Sequence, residues 1–248
     1  MKKNTGSYMP GGRCGLLLCW MLMVFAGNAQ FGMEIMPNAK PMDPSVIIYG
    51  ASNFNNGIPY NKIQGTPFWK DEYQLAFLYG DRPREKWLVK TKLNLNTSEV
   101  YFLGKNGEEL VAPEGLVQKI IFCRDGDSSK PETEFRYKYG EALLINNDKG
   151  YYVQLMNDGN YQLLKLSRRP VITADSFHIA LRYYFKEEVK YFMQYNNKTA
   201  VIKKLTRDNI LTWLPGNPAT DDWMERQKIN LKKEEDIVRF LDYYNSKK

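Results

Sequence analysis

The sequence predicts an α+β protein that is mainly β: antiparallel hairpins in a meander, arranged as a sandwich or a rolled sheet, and then short C-terminal helices. Between residues 46 and 205, short apolar runs rich in Tyr, Phe, Val and Ile alternate with Gly, Pro, Asn and Asp, as in strands joined by turns. After residue 206 the apolar spacing becomes helical. We therefore predict a β-rich region over 46–205, with 206–248 as a helical cap of the same domain.

The first 29 residues have the features of a cleavable signal peptide. Three basic residues lie in the first 13 positions, and an apolar run of 13 residues follows over 14–26. A membrane span needs about 20 apolar residues, so this run fits a signal peptide better than an anchor. Gly27 and Ala29 precede Gln30 as in an A-x-A-like site. We expect cleavage between Ala29 and Gln30, with an uncleaved anchor helix as the alternative.

Cleavage there would change the charge and the cysteine content. The formal net charge of +7 would fall to +4, because the first 29 residues contain three basic and no acidic residues. A charge of this size serves solubility, and no run of five basic residues is present. We expect no nucleic-acid partner and no stable membrane insertion after cleavage. Only Cys123 would remain, which excludes an internal disulfide.

We expect residues 30–45 to form an extended lead-in. In the β-rich region that follows, the strand prediction is strongest at residues 86–95. At 86–95, apolar and polar residues alternate, and the period of two is that of a strand with one face towards water. Trp87 and Leu93 belong to the apolar face, whereas Asn94 belongs to the polar face together with the lysines. Tight hairpin turns are predicted at 106–107, 157–160 and 196–197, where Asn, Asp and Gly accept positive φ.

Three short helices are predicted in the cap. Thr206 is suited to cap a first helix that Pro215 and Gly216 would end, and Asn217 with Pro218 would begin a second helix through about Lys228. A third runs over about 233–245, with acidic residues at its positive end. Its apolar stripe consists of Ile237, Val238, Leu241 and Tyr244.

Four stretches resemble a family of exported β-hairpin-rich proteins of Gram-negative bacteria. They are IQGTPF at 63–68, KLTRDNI at 204–210, LKKEEDI at 231–237 and YYN at 243–245. The resemblance covers nearly all of the chain after residue 29. It implies a periplasmic or envelope location, and because no activity is assigned to that family, it implies no functional residue.

The residue types that usually carry catalysis or bind metals are sparse. His178 is the one histidine, and it lies among apolar residues, so we expect it to be structural. Cys123 lies in the apolar run LVQKIIFC and is expected to be a buried small residue, with a reactive thiol or an intermolecular disulfide as the alternatives. The oxygen-rich turns at 125–127 and 146–150 lack the spacing of an EF-hand loop. No catalytic residue, metal site or cofactor is predicted.

These observations favour an exported, non-catalytic protein of the periplasm or cell envelope, or a secreted one. We expect a binding or scaffolding role with a protein or polysaccharide partner. One alternative is a metal-independent hydrolase that acts on a polymer, as glycosidases do, because its two carboxylates need no fixed spacing in sequence. A small outer-membrane β-barrel is the other alternative, although several runs here are shorter than the about 9 to 11 residues of a membrane strand.

Overall fold

The structure is a computed structural model, and it describes residues 48–49, 54–55, 57–82, 85–176, 180–196, 198–214 and 218–247. The expected cleavage site at Ala29 and Gln30 and the predicted lead-in at 30–45 lie outside the described residues. Every helix and strand below belongs to one compact unit, Gly32–Lys248.

The described elements are sixteen strands, three α-helices and three 3-10 helices of three residues each. The strands are β1 (Ile48–Tyr49), β2 (Phe54–Asn55), β3 (Ile58–Pro59), β4 (Ile63–Gln64), β5 (Gln74–Tyr79), β6 (Lys86–Asn94), β7 (Glu99–Leu103), β8 (Glu109–Val111), β9 (Lys119–Cys123), β10 (Pro131–Tyr139), β11 (Gly150–Leu155), β12 (Tyr161–Arg168), β13 (Val171–Ser176), β14 (Ala180–Phe185), β15 (Glu188–Tyr195) and β16 (Lys198–Ile202). The α-helices are α1 (Arg207–Leu211), α2 (Pro218–Arg226) and α3 (Glu234–Ser246).

Eleven of the described strands form one antiparallel sheet, which confirms the predicted fold class. The spatial order is β1-β8-β7-β6-β5-β9-β10-β11-β12-β15-β16, so most neighbours in space are also neighbours in sequence. Hairpins therefore build the sheet, as the alternating runs and turn residues predict. The small sheet β13-β14-β4 contains the one parallel pairing among the described strands, which joins β4 to β14.

The inner face of the sheet carries the largest apolar cluster. It joins side chains from β5 to β11, and the ring of Trp69 packs between Phe122 and Phe135, with centroid distances of 4.6 and 5.2 Å. Val117, in the connection between β8 and β9, is also fully buried in this cluster, and its carbonyl accepts a 2.7 Å hydrogen bond from the Tyr152 hydroxyl. No helix contributes to this cluster, so the sheet and its connections bury the face themselves.

The C-terminal helices cover the same face where it continues over β12, β15 and β16. Ile237, Phe240 and Leu241 of α3 are fully buried in a cluster with Leu163 and Met193 of these strands. The sequence stripe was wrong in one position: Phe240 is fully buried, whereas Val238 is only half-buried. The helix is rotated slightly from the predicted orientation, because the large ring of Phe240 buries more apolar surface than a valine does.

Other local predictions have mixed outcomes. Thr206 caps α1, and its hydroxyl accepts a hydrogen bond from the Asn209 amide. Asn94 was placed on the polar face of β6 and is fully buried instead. The Tyr60 hydroxyl accepts a 3.2 Å hydrogen bond from the side-chain NH2 group of Asn94. The side-chain oxygen of Asn94 accepts hydrogen bonds from the backbone N–H groups of the following turn, at 96 and 97. Asn197, Pro215, Gly216 and Asn217 lie outside the described residues.

Candidate functional site

A groove of about 480 Å³ lies where the loop between β10 and β11 approaches β15 and β16. The loop contributes Leu143, Leu144 and Ile145, the strands contribute residues 189–192 and 201–202, and the segment after β16 contributes residues 203–205. Three of the five large apolar residues that are exposed in the described chain line it: Leu144, Val189 and Val201, with exposed fractions of 63%, 38% and 42%. The strand register places the Val189 side chain on the inner face with Tyr191, so Leu144 and Val201 are the exposed apolar side chains of the groove. Exposed apolar residues that cluster in this way are typical of a binding surface, whereas single scattered ones are not.

The loop that forms one wall is held in a fixed conformation. Leu143 is fully buried against Val153 and Phe192, in the apolar cluster on the outer face of the sheet. The Asn147 side chain donates a 2.8 Å hydrogen bond to the Tyr151 hydroxyl. Gly140 begins the loop, and a Cβ at this position would lie 2.6 Å from the carbonyl oxygen of Asn147, so only glycine allows the chain to fold back this tightly.

Leu144, the residue after the buried Leu143, has a backbone in the left-handed region, with φ of 55°. A bulky L-residue there costs about 1 to 2 kcal/mol, yet its side chain is the most exposed of the large apolar ones in the described chain. Neither backbone preference nor burial within the chain explains a leucine at this position. A side chain that is presented to a binding partner does explain it.

The other wall is the free edge of the large sheet. β16 pairs with β15 alone, and no other strand of the described chain continues the sheet beyond it. An edge strand presents backbone N–H and C=O groups that can pair with an added strand. Val201 belongs to this strand and also lines the groove, so the apolar surface and the free backbone groups lie side by side.

The charged residues that line the groove are all basic. Lys190, Lys203 and Lys204 line it and are exposed, and none of the described lining residues is acidic. No ion pair in the described part of the chain neutralises these three lysines. The lining of the groove therefore combines apolar contacts with positive charge, which favours a ligand that carries carboxylates.

Comparisons with known proteins bring no relative. No family model, no curated protein and no solved structure matches the chain. The resemblance to exported β-hairpin proteins therefore stays a prediction, and the site has to be interpreted from its own geometry.

Of the residues considered for chemistry in the sequence, none that the structure describes is among the residues that line the groove. Cys123 is buried at the end of β9, and burial raises the pKa of its thiol, which opposes formation of a reactive thiolate. His178 lies outside the described residues. In the turn at 125–127, Asp127 binds Ser129 and Lys130 of its own loop. Within the described ranges, no group of three or more His, Cys, Asp and Glu side chains could hold a metal ion.

A carboxylate pair, which a glycosidase-like hydrolase would need, does not line the groove. The pKa of Asp242 on α3 is raised by partial burial and by the negative charge of Asp158. Both carboxylates are exposed, and neither belongs to the groove.

In the part of the chain that the structure describes, no helix is long and apolar enough to cross a membrane.

The groove could not be found from the sequence. Leu144 and Ile145 are part of an ordinary apolar run, EALLI, and Val201 lies in an ordinary strand pattern. Only the fold brings the loop at 140–149 onto β16 (Lys198–Ile202), which lies much later in the chain. A leucine next to the turn residues at 146–150 is at most a weak indication of positive φ.

Proposed function

We propose that the protein is an exported, non-catalytic binding component that holds an extended acidic segment of a partner protein against the free edge of β16. The observation that carries the proposal is the coincidence of two exposed apolar side chains, Leu144 and Val201, with an unpaired sheet edge in one groove. Backbone pairing would supply affinity, and the groove would select side chains. The export features of residues 1–29 support a location in the periplasm or cell envelope.

Charge favours a partner protein over a second copy of this chain. If two β16 strands paired antiparallel around their centres, Lys198 of each copy would lie near Lys203 and Lys204 of the other. Like charges that are directly opposite destabilise a strand pair. A partner strand with apolar residues in its centre and carboxylates at its ends avoids this repulsion and meets the lysines favourably.

Fluorescence anisotropy with a labelled peptide tests the proposal. The probe has the sequence Glu-Glu-Val-Thr-Val-Thr-Glu, and we expect saturable binding to the full chain. The variant K203E/K204E should bind at least about tenfold more weakly, because two charge contacts worth about 0.7 kcal/mol each are lost and reversed. It should in turn gain binding of a peptide in which lysines replace the glutamates.

The matched control is K105E/K232E, which reverses two exposed lysines elsewhere and should bind the acidic peptide as the wild type does. A second control peptide carries proline at its central threonine, which removes a backbone donor, and it should bind weakly. Equal affinity for the proline peptide, or equal loss in both double variants, would show that general charge attraction explains the binding and would overturn the proposal.

A further inference from the structure

A second surface, on the outer face of the large sheet, carries basic side chains in register. Lys86 of β6 lies opposite Tyr79 of β5, and Tyr79 lies opposite Lys119 of β9. Neighbouring strands are about 4.8 Å apart, so two lysines flank one tyrosine with backbone positions about 10 Å apart. Arg136 of β10 continues the same row beyond Lys119.

Aromatic rings hold both ammonium groups in place. The Lys86 ammonium lies 4.0 Å from the ring centroid of Phe77 and 5.4 Å from that of Tyr79, and the Lys119 ammonium lies 4.3 Å from the centroid of Tyr79. Cation–π attraction of this kind stabilises one position of a flexible side chain. Binding of an anion to both lysines would therefore cost less side-chain entropy than binding to lysines that move freely.

No ion pair of the described chain neutralises Lys86 or Lys119. Arg136, by contrast, is paired with Glu134 at 2.5 Å. Burial and the nearby positive charge of Arg136 lower the pKa of Lys138 on the same strand, as expected where cations outnumber carboxylates. The two lysines around Tyr79 are therefore the positive charges of this row that remain available to a ligand.

The shape and polarity of the face restrict the ligand. The next row consists of half-buried apolar side chains, Leu88, Phe77 and Ile121, and none of the exposed large apolar residues of the described chain belongs to β5, β6 or β9. A membrane-binding surface would need apolar side chains that protrude, and a small molecule would need a concave pocket. A row of basic side chains that crosses several strands suits an extended polyanion.

The ring contacts favour a polysaccharide over a nucleic acid. Proteins that bind single strands stack bases on open aromatic faces, but here ammonium groups of the protein lie over the rings of Phe77 and Tyr79. A polysaccharide that carries carboxylates has no bases that must stack, so the two ammonium groups are enough to bind it. We infer that Lys86 and Lys119, placed around Tyr79, bind neighbouring carboxylates of an acidic polysaccharide.

Binding of the full chain to polygalacturonate, measured by biolayer interferometry in 50 mM salt, tests this inference. We expect binding to polygalacturonate, none to uncharged dextran, and about a tenfold loss of affinity in K86Q/K119Q. The matched variant K105Q/K232Q removes the same charge and should retain the wild-type affinity. Circular dichroism of each variant shows whether the sheet is intact. If the double variant does not fold, the single variant K119Q replaces it in the test, and we expect it to lose less affinity than the double variant would.

Three results would overturn the inference: an equal loss in K105Q/K232Q, no binding of wild type to polygalacturonate, or tighter binding to a 20-nucleotide oligothymidine or to anionic vesicles than to the polysaccharide. The groove variant K203E/K204E should bind polygalacturonate as K105E/K232E does. Because the lysines of the two sites differ, failure of this inference is distinguishable from failure of the proposed peptide groove.

Discussion

Leu144 is the residue whose conformation and exposure are hardest to reconcile with stability alone. Replacing it with glycine relieves the left-handed strain and removes little buried surface, so L144G should be more stable by about 1 kcal/mol. The same change removes an apolar contact of the groove and should weaken binding of the acidic peptide. Urea denaturation and peptide anisotropy measure the two effects.

Ser98 offers a matched control for this prediction, because it also has positive φ, 62°, and lies in the turn between β6 and β7, away from the groove. S98G should gain stability without losing peptide affinity. If L144G binds the peptide as tightly as wild type, Leu144 does not contribute to the groove, and our explanation of its strained conformation is wrong.

Single residues also show where sequence reasoning reaches its limit. The alternation over β6 identified the buried positions of Trp87 and Leu93 correctly, because a half-buried strand imposes a period of two. It failed at Asn94, whose burial depends on Tyr60, 34 residues earlier in the chain. A local period reports which face a residue belongs to, but it cannot report which distant segment covers that face.

A carboxylate in the first turn of helix α3 bonds to two strands of the sheet. Glu234, in its first turn, accepts hydrogen bonds from Lys165 of β12 at 2.9 Å and from the Tyr191 hydroxyl of β15. E234A should reduce the free energy of unfolding by about 1 to 2 kcal/mol, a figure discounted for the partial exposure of the pair. The loss arises because the Tyr191 hydroxyl and the Lys165 ammonium both lose their acceptor.

The control for this prediction is E235A, one residue later in the same first turn. Glu235 is exposed, so E235A breaks no contact with the sheet. It changes the helix propensity and the interaction with the helix dipole to a similar extent as E234A does. Urea denaturation of both variants separates the two contributions. Equal losses would show that Glu234 acts on the helix alone and does not attach it to the sheet.

The elements were more predictable than their arrangement. Turn residues identified the hairpin between β11 and β12, and Thr206 identified the start of α1, because these patterns act within a few residues. The parallel pairing of β4 with β14 and the approach of the loop at 140–149 to β16 join segments that lie far apart in the chain. Such pairings depend on which surfaces fit together in three dimensions, and no local pattern encodes them.

The whole molecule carries many buried tyrosines, and this predicts how its stability depends on pH. Burial raises the pKa of Tyr60, Tyr73, Tyr101, Tyr137, Tyr152 and Tyr191. A raised pKa means that the folded chain keeps these protons while the unfolded chain loses them near pH 10. The free energy of unfolding should therefore be insensitive to these groups below about pH 10 and fall above it.

Urea denaturation between pH 8 and pH 11 measures this dependence. Tyr152 is buried and donates its hydrogen bond to Val117, so it should contribute about 1.4 kcal/mol per pH unit above pH 10. The variant Y152F lacks that titration, and its stability should fall less steeply with pH. Parallel curves for wild type and Y152F would contradict the assignment of alkaline sensitivity to this residue.

Amide hydrogen exchange of the full chain, with and without the acidic peptide, tests the central claim most directly. If the peptide adds as a strand to the edge of the sheet, exchange should slow at β16 (Lys198–Ile202) and in the loop at 140–145, while β1 and β8 at the other edge stay unchanged. Protection that is absent from β16, or that appears equally at both edges, would contradict strand addition at the groove.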